Sequence, residues 1–144
     1  MTIKRSANAL WNGGLKDGKG TFSVPSGAFK DLAYSFTTRF EDSPGTNPEE
    51  LIAAAHAACF SMAFSGQLAK DGMAPKEIST KANLTMEKLE AGFTVTKIHL
   101  DVTAKVTGGN EEAFQKSAKA AKEGCPISRL LKAEISLAAT YMPV

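Results

Sequence analysis

The pattern of apolar and polar residues predicts six strand-like stretches in this chain, with helical segments between them. Residues 4–13 alternate loosely and stop at Gly13-Gly14, which predicts a strand. Asp17-Gly18 and Gly20 mark a turn, and TFSVP follows as a second strand. Pro25, Ser26 and Gly27 break the chain again. AYSFTTRF, residues 33–40, is rich in aromatic and β-branched positions and predicts a third strand, after which EDSPG turns the chain.

The pattern then changes period. Asn47 suits a helix N-cap, Pro48 the first helical position, and Glu50 stands three residues after the cap, as in a capping box. Glu49 and Glu50 fall in the first turn, where the helix dipole favours carboxylates. The helix is expected to run to about Ala69–Lys70 and stop near Gly72. From Leu51 to Leu68 it is apolar on nearly every face, which predicts a helix wrapped on most sides.

Pro75 opens a second β section. Residues 77–89 and 93–106 alternate well around Ala91-Gly92 and predict an antiparallel pair. Gly108-Gly109-Asn110 leads into a helix over about 111–123, with Glu111 and Glu112 in its first turn and Gly124 at its end. Cys125-Pro126 opens a short helix through Leu131, and AEISLAATYM closes as a strand. The order βββ-α-ββ-αα-β predicts an α+β fold without the alternating rhythm of a parallel sheet.

Composition narrows the function classes. A length of 144 residues suits one domain, 1–144, with its own core. Seventeen basic against fifteen acidic residues leave a net charge of +2, which gives no electrostatic case for nucleic acid or an anionic membrane. Uninterrupted apolar runs fall short of the ~20 residues of a spanning helix, and the N-terminal segment has no signal-peptide core. The expectation is a cytoplasmic protein, in which two cysteines are reactive or buried thiols rather than a structural disulfide.

Few residues are candidates for chemistry. In mid-helix, Cys59 is on position alone a small buried hydrophobe, and as a reactive thiol it would need a nearby cation. Cys125 precedes a proline that can begin a helix, so free backbone N–H groups favour its thiolate; local chemistry makes it the more acidic thiol. Arg39 ends the third predicted strand. Glu49 and Glu50 are explained by capping, and either carboxylate is also suited to holding an Arg guanidinium in bidentate geometry. His56 lies three residues before Cys59 on one helix face; a histidine bonded within the core is the plainer reading, and a Cys–His hydrolase the sharper one. The sequence identifies no partner for His99. Two His and two Cys without short paired spacings argue against a metal site, and no cofactor is expected.

Taken together, TRFEDSPGTNPEELIAAAHAACFSMA and GCPISRLLKAEISL closely resemble the OsmC/Ohr family of osmotically inducible and organic-hydroperoxide-resistance proteins, over essentially the whole chain. The resemblance implies a thiol-dependent hydroperoxide reductase. It assigns Cys59 as the peroxidatic thiol, Cys125 as the resolving thiol, Arg39 as the catalytic cation, Glu49 as the carboxylate that orients it and Glu50 as its neighbour. The family's Ohr branch carries its Arg in a GGRDG-like turn; this chain has GGLKDGKG there, with Leu15-Lys16, so it resembles the OsmC branch through TTRFE. The resemblance also implies an interlocked α+β homodimer with antiparallel sheets and a central buried helix, and sites built from both chains.

On this reading the substrate is an organic hydroperoxide, with Phe36, Phe40, Phe60 and Met62 as the apolar pocket. The reductant is a dithiol, and the family suggests a lipoylated protein or a small dithiol. Two other readings stay open: a Cys59/His56 hydrolase, and a non-catalytic dimer that binds a small hydrophobic ligand.

Overall fold

The computed structural model describes residues 1–144, which divide into two compact units, Met1–Leu51 and Ile52–Val144. In the first unit, β1 (Asn8–Asn12), β2 (Lys19–Ser23) and β3 (Leu32–Ser35) form an antiparallel sheet in the order β1-β2-β3. The first strand begins later than its loose alternation suggested. Gly20 sits in register between Trp11 and Tyr34, and a Cβ there would lie 2.3 Å from the Tyr34 ring and 2.7 Å from that of Trp11. The missing side chain lets those two rings approach to 5.4 Å between centroids across the middle strand.

The third strand is half as long as its composition predicts. Residues 36–40 form a single-turn helix, α1 (Phe36–Phe40). Ser35 is its N-cap. The Ser35 hydroxyl accepts from the Thr38 N–H at 3.3 Å, and Thr38 Oγ1 accepts from the Ser35 N–H at 2.9 Å. This reciprocal capping box outweighs the β-preference of Phe36, Thr37, Thr38 and Phe40. Arg39 therefore stands in the last turn of a helix, not at a strand end.

The long helix α2 (Pro48–Lys70) has the predicted limits. Asn47 Oδ1 accepts from the Glu50 N–H at 2.8 Å, as an N-cap should. The Glu50 carboxylate instead accepts from the Thr46 hydroxyl at 2.7 Å, so only half of the expected capping box forms. Gly72, at φ +79°, takes the left-handed conformation that lets the chain leave the helix.

Within one chain α2 is not wrapped on most sides. His56, Phe60, Phe64 and Leu68 make one buried stripe, spaced four residues apart, while Ala54, Ala55, Ala58 and Met62 are exposed. The core offered by the second unit covers one face of a helix and leaves the other bare. By length and composition α2 is also apolar enough to cross a membrane, with a mean hydropathy of 1.3, because alanines keep the average high between its polar residues. Its buried stripe packs as that of a core helix does.

In the second unit, β4 (Ala74–Leu89) and β5 (Gly92–Thr107) form the expected antiparallel pair. Then come α3 (Glu111–Gly124), capped by Asn110, then α4 (Pro126–Leu130), then β6 (Glu134–Pro143). The expectation of purely antiparallel sheets fails at the last strand. β6 pairs with β5 in parallel, with Ile98 opposite Ile135 and Leu100 opposite Leu137, so the sheet is mixed, in the order β4-β5-β6. A parallel neighbour needs a long crossover, which α3 and α4 supply.

The core of this unit lies between the sheet and the helices. Ile98, Leu100, Val102, Ala104 and Val106 alternate inward from β5 to meet Phe60, Phe64 and Leu68 of α2 and Phe114, Ala118 and Ala121 of α3. Phe64 is fully buried, with its ring 5.5 Å from Phe60 and 5.2 Å from Phe114. Phe64→Ala is expected to destabilise the protein by about 3–5 kcal/mol. Denaturant unfolding checks this, and a loss below about 1 kcal/mol would mean that the cavity collapses or that the ring is not a keystone of this core.

Candidate functional site

The mid-helix cysteine of α2 and the cysteine between α3 and α4 meet. Cys59 Sγ and Cys125 Sγ are 3.0 Å apart, within hydrogen-bond reach, and both are free thiols. The register that brings them together follows from two stops in the chain. Gly124 ends α3, and Pro126 begins α4 at once, which leaves Cys125 as the C-cap of one helix and the N-cap of the next. Cys125 is fully buried and Cys59 is partly accessible.

The two thiols are pulled in opposite directions. Burial raises the Cys59 pKa and the proton shared with Cys125 raises it further, against a weaker pull from the Ile127 N–H. Burial also acts upward on Cys125. There the Ser128 N–H, the Cys59 thiol, the Ser128 hydroxyl and the Ile127 N–H together outweigh it, and the net direction is down. The opposite directions make Cys125 the more acidic thiol, as its place before Pro126 suggested.

His56, one turn before Cys59, does not activate it. The ring is buried, its Nε2 lies 2.7 Å from Ser128 Oγ, and its Nδ1 has no partner. Burial lowers its pKa, so the neutral ring is favoured. The link between His56 and Ser128, 72 residues apart, left no signal in the sequence. The second histidine, His99, has partners on the exposed face of the β4-β5-β6 sheet, with Nδ1 2.6 Å from Ser136 Oγ and Nε2 3.1 Å from Asp101. No group of three His, Cys, Asp or Glu residues is placed to hold a metal ion.

In the first unit, Arg39 and Glu49 form a fork. Arg39 Nε lies 3.1 Å from both Glu49 carboxylate oxygens, and Nη2 lies 2.7 Å from Oε1. These hydrogen bonds raise the Arg39 pKa further above its usual value. Its guanidinium also sits 5.0 Å above the centre of the Phe40 ring. Glu50 points to Thr46 instead, so of the two first-turn carboxylates Glu49 is the one that fixes the guanidinium. The Arg39 side chain borders a cleft of about 260 Å³ lined by Trp11, Leu15, Tyr34, Ser35, Phe36 and Phe40.

The OsmC-like protein family model matches residues 40–140. The chain belongs to the OsmC family. It is 50% identical to the peroxiredoxin OsmC of Escherichia coli over 137 residues, covering 95% of this chain and 96% of that protein. It is 34% identical to the organic hydroperoxide resistance protein-like 2 of Staphylococcus saprophyticus, covering 88% of this chain and 87% of the other. The fold matches that of an OsmC-like protein of unknown function from Vibrio cholerae, with a TM-score of 0.76 at 19% identity, covering 96% of this chain and 99% of that one. Relatives named for peroxiredoxin activity and hydroperoxide resistance support a peroxidase-type redox role for this OsmC-family chain.

Measured against the residues singled out from the sequence, the OsmC-family chain departs at the apolar pocket. Phe36 and Phe40 line the cleft beside Arg39. Phe60 does not, since it is fully buried in the α2 stripe. Met62 does not either; it is 79% exposed and lies on a separate shallow groove with Ser65 and Pro75. On a helix apolar at nearly every position, hydrophobicity does not say which face a residue takes. Trp11 reaches the cleft through strand pairing across Gly20 to Tyr34, and Leu15 comes from the turn between β1 and β2; the sequence did not single out these three as lining residues.

Proposed function

We propose that this protein is a cysteine-based peroxidase that reduces organic hydroperoxides, with Cys59 as the attacking thiol and Cys125 as the resolving thiol. The observation that carries the reading is the 3.0 Å separation of two free sulfurs that lie 66 residues apart in the chain. A purely structural thiol needs no second thiol beside it, and a disulfide can form here with little movement.

The chemistry runs in three steps. The Cys59 thiolate attacks the distal oxygen of ROOH; an S–O bond forms, the O–O bond breaks, and the alkoxide leaves as alcohol after taking a proton. The Cys125 thiolate then attacks the Cys59 sulfenic acid, and its hydroxyl departs as water with one proton. A dithiol restores both thiols by exchange and leaves as its own disulfide.

Cys59 must ionise for the first step, against the direction in which burial and Cys125 push it. In the homodimer that completes this proposal, Arg39, oriented by Glu49, supplies the positive charge that stabilises the Cys59 thiolate and the departing alkoxide. The exposed apolar stripe of Ala54, Ala55, Ala58 and Met62 on α2 suits burial against a partner. The apolar wall of the Arg39 cleft suits the carbon end of an organic hydroperoxide. The chain acts as one domain in a reducing cytoplasm, where thiols persist.

Intact-mass analysis after one equivalent of cumene hydroperoxide tests the reading. The expected result is a loss of two hydrogens, mapped to a peptide that joins Cys59 to Cys125. An unchanged mass with the peroxide left over would exclude it.

A further inference from the structure

Ser128 occupies a particular place relative to Cys125. Cys125 is the N-cap of α4 and Ser128 is the third residue of that helix. Side chains at these two positions are neighbours, which is the geometry that capping boxes use. On its other side Ser128 Oγ lies 2.7 Å from His56 Nε2 on α2. The buried His56 imidazole is thus bonded to a hydroxyl that stands one helical turn from the buried Cys125 thiol, and the mechanism above gives the first two no task.

The orphaned atom of His56 sets the direction of this hydrogen bond. A ring buried completely, with Nδ1 unpartnered, has two neutral tautomers. With the proton on Nδ1, an N–H donor would be buried without an acceptor. With the proton on Nε2, that N–H donates to Ser128 Oγ and only a lone pair at Nδ1 goes unused, which is the less costly choice. Ser128 has one hydroxyl hydrogen. Since its oxygen already accepts from His56, that hydrogen is free to turn towards the Cys125 sulfur.

We propose that His56 is a positioning residue for the resolving thiol: its Nε2–H orients the Ser128 hydroxyl so that the hydroxyl donates to Cys125 Sγ and holds it as the thiolate. The assignment rests on the resolving role proposed for Cys125, and the His56–Ser128 hydrogen bond stands independently of it. In the resolving step the Cys125 thiolate forms the S–S bond, the Cys59 S–O bond breaks, and the leaving hydroxide takes one proton to become water. The donated hydrogen bond stabilises the charge on sulfur before the attack and is released as that charge disappears. The downward shift of the Cys125 thiol agrees: burial opposes it, and the Ser128 hydroxyl is among its causes after the Ser128 N–H and the Cys59 thiol.

Two measurements on this protein decide it. The first follows Cys125 ionisation by far-ultraviolet thiolate absorbance in a Cys59→Ser background, which needs no peroxide chemistry. Ser128→Ala and His56→Asn, whose amide is too short to reach Ser128, are each expected to lower the thiolate fraction at neutral pH about tenfold. His56→Gln, which restores an N–H near the Nε2 position, is expected to stay within about threefold of the parent. The second uses Cys59 intact and times the two oxidation steps by rapid quench. Sulfenic acid formation is expected to keep its rate in Ser128→Ala, and disulfide closure to slow about tenfold.

Parental titration of Cys125 in Ser128→Ala overturns the proposal, even if closure is slowed. So does a His56→Gln variant that titrates like His56→Asn while both remain folded. If His56→Asn does not fold, Ser128→Ala against His56→Gln still gives the answer. A wild-type protein that forms no sulfenic acid refutes the peroxidase reading instead, and the titration then judges the proposed hydrogen bonds by themselves.

Discussion

Replacing Cys59 by serine is expected to lower peroxide consumption by at least about a thousandfold while the protein stays folded. A serine hydroxyl neither ionises near neutral pH nor accepts an oxygen atom from a hydroperoxide, so nothing replaces the lost thiol. The fold should survive because Cys59 is partly accessible and only borders the core, and the exchange changes one small side chain for another. Cys125→Ser should behave differently: one equivalent of peroxide is consumed, Cys59 stops at the sulfenic acid, and turnover ceases. Peroxide assays with dithiol reductant and a dimedone trap distinguish the two variants. Wild-type turnover in Cys59→Ser would remove this thiol from the reaction.

Arg39→Ala is expected to slow the first oxidation step about a hundred- to a thousandfold, the range seen when one preorganised charge-stabilising donor is removed. The Arg39–Glu49 fork contributes little to folding. Arg39 is 36% exposed, and such an ion pair stabilises by at most about 1 kcal/mol. The loss should therefore show in the rate and not in the melting temperature. Arg39→Lys should recover only part of it, because an ammonium keeps the charge but not the planar fork that Glu49 grips through Nε and Nη2. Glu49→Gln should fall between, with the guanidinium charged but no longer fixed. Single-turnover kinetics by intrinsic fluorescence or quench check the series, and a wild-type rate in Arg39→Ala would exclude this cation from the mechanism.

The parts of the fold that were legible from the sequence are those fixed by local chemistry. Asn47, Pro48 and Gly72 bounded α2 correctly because a cap, a first-turn proline and a left-handed stop act within a few residues. Asn110 marked α3 in the same way. α1 was missed because its capping box uses Thr38 where glutamate or glutamine is the familiar signal, and its aromatic and β-branched residues favour a strand. The parallel pairing of β6 was not legible, since alternation says which face is apolar but not which neighbour or direction a strand takes. The same limit separates the site residues. Cys125 as the more acidic thiol could be argued from Gly124 and Pro126 alone, whereas the meeting of His56 with Ser128 depends on packing between distant helices.

The mixed sheet has a consequence for how the chain is made. β5, the central strand with five inward-facing apolar residues, can pair with β4 as soon as their hairpin has emerged from the ribosome. Its other edge must wait until residues 108–133 have been synthesised and β6 appears. At roughly 5–20 residues per second that is a delay of a few seconds, during which an apolar strand edge stands open to other nascent chains. Translation pauses within α3 would lengthen that exposure, and pauses after β6 would not. Cys125 lies in the same delayed segment, so the thiol pair and the closed sheet are completed close together in time.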